Sequence, residues 1–121
     1  MRKTLQKIEV NSFIDEFVKA RQKYFTKGQE WLEADLAEEK IYVYADKNQL
    51  AVELDELVKN SLMHSAVVPM EMRIQVERAS DGAKINYMDN GAGTWRNRSF
   101  FVAGNADARA AGEKRWGVQM A

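Results

Sequence analysis

The sequence holds no cysteine, one proline and one histidine. Without thiols there is no disulfide framework, no thiolate metal site and no cysteine nucleophile, which agrees with a reducing compartment. A surplus of charge of one sign is missing as well. Eighteen Lys and Arg balance eighteen Asp and Glu to a formal net charge of zero, so the long-range field that marks general nucleic-acid binders is lacking. No apolar run approaches the roughly 20 residues that span a bilayer. The opening MRKTLQKIEV carries early basic residues but no apolar stretch of signal-peptide length. The expectation is a soluble, cytoplasmic chain that binds no nucleic acid and inserts into no membrane. Its 121 residues give room for one hydrophobic core, hence one domain over residues 1–121.

What is present is organised by hydrophobic period. Asn11 and Ser12 offer N-cap oxygens to a helix whose Phe13, Ile14, Phe17, Val18, Tyr24 and Phe25 recur mostly at helical spacing, with Gly28 as its end. EWLEADLA and KIYVYAD alternate on either side of a polar EEK and predict two strands and a turn. Asp46, with Gln49 three residues on, forms an approximate capping box for a second helix that runs to about His64. Beyond Pro69, MRIQVER and AKINYMD flank Ser80, Asp81 and Gly82, which predicts an antiparallel hairpin over residues 72–89. From Thr94 to Ala121 no period is sustained, and the aromatics Trp95, Phe100, Phe101 and Trp116 are read as candidate covering surface.

The second helix carries a narrow polar row. At about 100° per residue, Met63, Glu56, Asn60, Glu53 and His64 fall on one stripe beside an apolar face of Leu50, Leu54, Leu57, Val58, Ser61 and Leu62. Such a row stands at the edge of the core, where a ligand can reach it. A solvated face with incidental charges is the plainer reading. An amide and a carboxylate one turn apart can nevertheless hold Mg²⁺ against phosphates and orient a proton acceptor. MDNGAG, at the end of the predicted hairpin, supplies Asp89, Gly91 and Gly93. Alone it reads as an ordinary turn. The order is more informative than either part: a helix with E-x-x-x-N, a strand pair, then D-x-G-x-G.

In that order, ELVKNSLMH and DNGAG resemble the N box and first glycine box of the ATP-binding superfamily of gyrase, heat-shock chaperones, histidine kinases and mismatch-repair ATPases. The run from Lys7 to Ser61 looks most like the ATP-binding domain of a sensor histidine kinase, and the resemblance extends to about Trp95. It implies an α+β two-layer sandwich, with helices on one face of a mixed, mainly antiparallel sheet: a Bergerat-type fold abbreviated at its C-terminal part. It also implies ATP and Mg²⁺ as cofactors. Asn60 matches the Asn that holds Mg²⁺ against the phosphates, and Glu56 the position near the attacking group. Asp89 matches the Asp that accepts from the adenine amino group. Gly91 and Gly93 match glycines that let the backbone approach the base. His64 falls where some kinases place a His or Tyr near the phosphates, whereas Met63 replaces a frequent Lys.

The family pattern then thins. FFVAG stands in for the aromatic motif of the ATP lid, and GEKRWGVQM matches the second glycine box only through Gly112 and Gly117, with Lys114, Arg115 and Trp116 where further glycines belong. The short remainder predicts lost terminal strands and an uncovered sheet edge. From that follow dimerisation, exchange of elements with another chain, or origin as a fragment or redesign of a longer domain. The sole histidine, His64, lies in the N box, so a phosphoacceptor histidine must sit on another segment or chain, with a response regulator as the further partner. Whether the chain is itself an enzyme stays open at this point. A catalytically inactive binding or dimerisation module and an anti-sigma-factor type serine kinase are the alternatives.

Overall fold

The computed structural model describes residues 5–63, 67–91 and 95–104, and the backbone of 118–120. The elements run β1 (Gln6–Glu9), α1 (Val10–Gln22), β2 (Glu30–Asp35), β3 (Tyr42–Ala45), α2 (Lys47–Met63), β4 (Met70–Ala79), β5 (Gly82–Asp89), β6 (Arg96–Ala103) and β7 (Val118–Met120). Five strands form one sheet in the order β2-β4-β5-β6-β7, and β1 pairs with β3 in a small second sheet. Only the β2–β4 pairing is parallel; β4–β5, β5–β6 and β6–β7 are antiparallel. This is the expected α+β architecture with a mixed, mainly antiparallel sheet.

The helices cover one face because their apolar positions repeat at helical spacing. Val10, Phe13, Ile14, Phe17 and Val18 of α1 are buried, as are Leu50, Leu54, Leu57 and Val58 of α2. They share one core with Leu32, Met72, Ile74, Val76, Ile85, Tyr87, Phe100 and Val102 of the sheet. Each fully buried aliphatic side chain here contributes about 1.5–3 kcal/mol. The opposite face of the sheet carries a polar ladder beside Trp31 and Phe101. Arg73 pairs with Glu33 at 2.8 Å, Asn86 donates to Gln75 and Glu77 at 3.1 Å each, and Ser99 donates to Asn86 at 2.6 Å.

Several local expectations are corrected. The N-cap of α1 is Glu9, whose carboxylate accepts from the amides of Asn11 and Ser12. Asn11 instead clamps the segment between β2 and β3, donating to the carbonyls of Ala37 and Glu39 and accepting from the Ala37 amide, all at 3.0 Å. The helix ends at Gln22, and Gly28 sits beyond it in a turn at φ 86°. β2 and β3 exist but do not pair with each other. β2 pairs with β4 and β3 with β1, because the intervening segment is tied down to the start of α1. The Asp46 cap is half a box: its carboxylate accepts from the amides of Asn48 and Gln49, while the Gln49 side chain donates to Glu53.

The hairpin over β4 and β5 is as expected, and Gly82 is required there. Its φ is 140° and a Cβ would stand 2.0 Å from the Val102 carbonyl oxygen. The C-terminal part departs from expectation. β6 and β7 extend the sheet beyond β5, in the segment where the sequence sustains no period. Phe100–Gly104 belongs to the end of β6 and the bend after it, not to a lid. Only residues 90–95 separate β5 from β6, too short a span for a lid and a second glycine box between these strands. Gly112 and Gly117 lie outside the described residues, as do Lys114, Arg115 and Trp116.

Candidate functional site

The site forms where the last turns of α2 pass over the ends of β5 and β6. A cavity of about 310 Å³ is lined there by Leu57, Asn60, Ser61, Asp89, Arg96 and Arg98. Sheet register explains the grouping. Asp89 stands directly opposite Arg96 and Tyr87 opposite Arg98, and side chains at paired positions emerge on the same face. That face is the one covered by the helices. α2 brings Leu57, Asn60 and Ser61 to it, since residues three and four apart share a helix face.

Asp89 is buried with 7% of its surface exposed, and Ser61 with 4%. A carboxylate so placed needs hydrogen-bond donors. Ser61 Oγ donates to Asp89 Oδ2 at 2.6 Å, and the Gly91 amide donates to Oδ1 at 3.0 Å. The Tyr87 hydroxyl lies 2.7 Å from Ser61 Oγ. A serine has one hydroxyl proton, already directed at Asp89, so Tyr87 donates to Ser61 and the order of donation is Tyr87, Ser61, Asp89. Burial, with the nearby Asp89 charge adding to it, pushes the Tyr87 phenol well above its ordinary value against the lowering pull of Ser61 and the two arginines. Tyr87 is therefore a fixed neutral donor. Arg96 completes the group, its Nη2 standing 3.6 Å from Asp89 Oδ1.

The Gly91 contact gives the glycine box a local reason. A Cβ on Gly91 would stand 3.3 Å from the Met70 side chain and 3.4 Å from Asp89 Oδ1. The carboxylate thus orders the start of its own turn, while Asn90 donates to the Pro69 carbonyl and accepts from the Glu71 amide.

Of the residues singled out from sequence, Asn60, Asp89 and Gly91 come together here. Glu56 is an exposed residue of α2 and does not line the cavity. His64 and Gly93 lie outside the described residues. Sequence reasoning missed Ser61, which it placed on the apolar face, and Arg96 and Arg98, which it left in a segment without period. Ser61 could have been found by its place next to Asn60 on the only polar break in that apolar face. Among the described residues no three of His, Cys, Asp and Glu cluster as a metal cage. Asn60 is an exposed amide on the cavity wall, a donor set that suits Mg²⁺ only when phosphates and water supply the other oxygens.

No protein-family model matches the chain, and no curated protein matches it in sequence. Solved structures do. The nucleotide-free catalytic domain of the histidine kinase ThkA superposes with a TM-score of 0.63 at 17% identity, over 73% of this chain and 60% of that one. The Acinetobacter baumannii histidine kinase AdeS gives 0.60 at 20% identity, over 75% of this chain and 44% of that one. The ATP-binding domain of PrrB from Mycobacterium tuberculosis gives 0.59 at 13% identity, over 72% and 60%. ThkA in complex with the response regulator TrrA also matches, with a TM-score of 0.60 at 16% identity, over 70% and 25%. At these identities the likeness is one of fold: the chain has the fold of histidine-kinase catalytic domains and spans less than two thirds of each of those chains. No helix among the described residues is long and apolar enough to cross a membrane.

Proposed function

We propose that this chain is a Mg²⁺-ATP-binding domain of the histidine-kinase kind, serving phosphoryl transfer to a histidine on another segment or chain. The observation that carries the proposal is the buried Asp89, held by Ser61 and Gly91 with one side toward a cavity that Asn60 also lines. A carboxylate fixed in that way accepts from an exocyclic amino group without reorganising, which favours an adenine over a base that offers no donor there. Asn60 would take one coordination position of Mg²⁺, and Arg98 brings positive charge to the same cavity for anionic groups. Bound ATP would supply the phosphoryl group. The acceptor histidine lies elsewhere, since His64 is the sole histidine, and a response regulator is the expected further partner, as ThkA has in its complex with TrrA.

Calorimetric titration with a non-hydrolysable ATP analogue, with and without Mg²⁺, tests this reading. Saturable binding that strengthens with Mg²⁺ and disappears in Asp89→Ala, while that variant keeps a cooperative melting transition, is the expected result. Affinity unchanged by Asp89→Ala would sink it. A second reading, binding without catalysis, is favoured by the short span 90–95, which leaves no lid between β5 and β6 to enclose phosphates. It expects bound ATP that is neither hydrolysed nor transferred when acceptor histidine domains are added.

A further inference from the structure

Asp89 accounts for only half of what its corner of the cavity offers. Oδ2 is committed inward to Ser61 and Oδ1 accepts from Gly91, yet a carboxylate oxygen has capacity for a second donor. Arg96 stands beside that same oxygen at 3.6 Å, outside hydrogen-bonding range, with 43% of its side chain exposed against 10% for Asp89. A guanidinium carries five N–H donors, and among the described residues Asp89 is the one charged partner of Arg96. The wall therefore presents an acceptor and a donor side by side, fixed by the direct pairing of residues 89 and 96 across β5 and β6.

Resting on the nucleotide reading above, we infer that Arg96 is a specificity-determining residue that donates to the ring nitrogen N1 of an aminopurine whose N6 amino group donates to Asp89. The edge of adenine places an amino donor next to a ring-nitrogen acceptor, the complement of this pair. Asp89 alone reads the amino group and leaves N1 to water. With Arg96 in place, a base without an acceptor at that position leaves a desolvated guanidinium unpaired, and unpaired polar groups discriminate more strongly than missing apolar contacts. The 3.6 Å gap is what lets Arg96 serve the base, because its donors are not spent on Asp89.

The test compares ATP with 1-deaza-ATP, in which N1 is replaced by C–H, on wild type and Arg96→Ala, by calorimetry in Mg²⁺. The two nucleotides carry identical phosphates, so a phosphate contact of Arg96 cancels from their ratio. Wild type is expected to prefer ATP by about tenfold or more, and Arg96→Ala to bind both alike. Melting curves check that Arg96→Ala is folded. A wild type that binds the two nucleotides equally overturns the inference while leaving the ATP reading standing. So does an Arg96→Ala that weakens both by the same factor, which would assign Arg96 to phosphate, or one that binds ATP more tightly, which would make the arginine a plug. If wild type binds neither nucleotide, the ATP reading falls and takes this inference with it.

Discussion

Two carboxylates, Glu9 and Asp89, are each surrounded by donors, and they differ in where those donors come from. Glu9 accepts from the amides of Asn11, Ser12 and Ile41 and from the Ser12 hydroxyl, each at 3.0 Å. Those partners join β1, the start of α1 and the residue before β3, so both oxygens are spent on holding the fold. Asp89 receives one hydroxyl and one amide, faces an arginine beyond bonding range, and borders a cavity. A carboxylate saturated by its own chain is a structural joint. One that is buried, oriented and left short of a donor is prepared for something that is not part of the chain.

Replacing each carboxylate with its amide should separate the two roles, and Asp89→Asn has the largest expected effect. The amide keeps the size of the side chain but puts an N–H₂ where Ser61, Gly91 or the ligand needs an acceptor. Affinity for the ATP analogue should fall about 100-fold, or about 2.7 kcal/mol, while the variant keeps a cooperative melting transition. Glu9→Gln should leave affinity where it is. If calorimetry finds both variants binding as wild type does, the contrast between joint and site collapses.

Next in size is Ser61→Ala, which tests whether the donor chain from Tyr87 prepares Asp89. It strips the hydroxyl from between two buried groups, leaving Asp89 Oδ2 and the Tyr87 hydroxyl without the partners they share. Each buried polar group left unpaired costs about 1–3 kcal/mol. Denaturant unfolding should therefore show a loss of about 2 kcal/mol, accompanied by weaker analogue binding. A loss of stability with full affinity would mean that Asp89 orients without Ser61.

Periodicity carried much of this fold in the sequence. Phe13, Ile14, Phe17 and Val18 mark the buried face of α1, Leu50, Leu54 and Leu57 that of α2, and the alternation on either side of Asp81 and Gly82 marks the β4–β5 hairpin. β6 was illegible for a reason that belongs to the site. Its helix-facing positions begin with Arg96 and Arg98 instead of apolar residues, and its outward positions include Asn97 and Ser99. Alternation of apolar and polar residues exists only where one face is core, and here the first half of the strand faces the cavity. Ser61 was hidden for the converse reason: it is small, buried and on the apolar face, and its hydroxyl gains meaning only from Asp89 and Tyr87, which lie far off in the chain. The pairing of β2 and β3 was misjudged because alternation identifies strands and not their neighbours, whereas the tie from Asn11 to Ala37 and Glu39 joins residues far apart in the chain.

The smallest expected effect is on Glu9, and its sign follows from its surroundings. Partial burial works to raise its pKa, but the amides of Ile41, Asn11 and Ser12 and the Ser12 hydroxyl outweigh it and hold the carboxyl below its ordinary value of 4.5. A carboxylate depressed by folding adds stability above its unfolded value and loses it as pH falls through the folded one. Glu9→Gln should therefore be less stable than wild type at neutral pH, by about 1 kcal/mol, the usual value of an N-cap, and melt lower accordingly. As pH drops from 4.5 the difference should shrink, because protonation of Glu9 removes from wild type what the substitution has already removed. Melting curves of the two proteins between neutral pH and strong acid check this. A difference that persists unchanged below the carboxylate range would mean that Glu9 acts through its shape and not its charge, and the joint would then be a matter of packing.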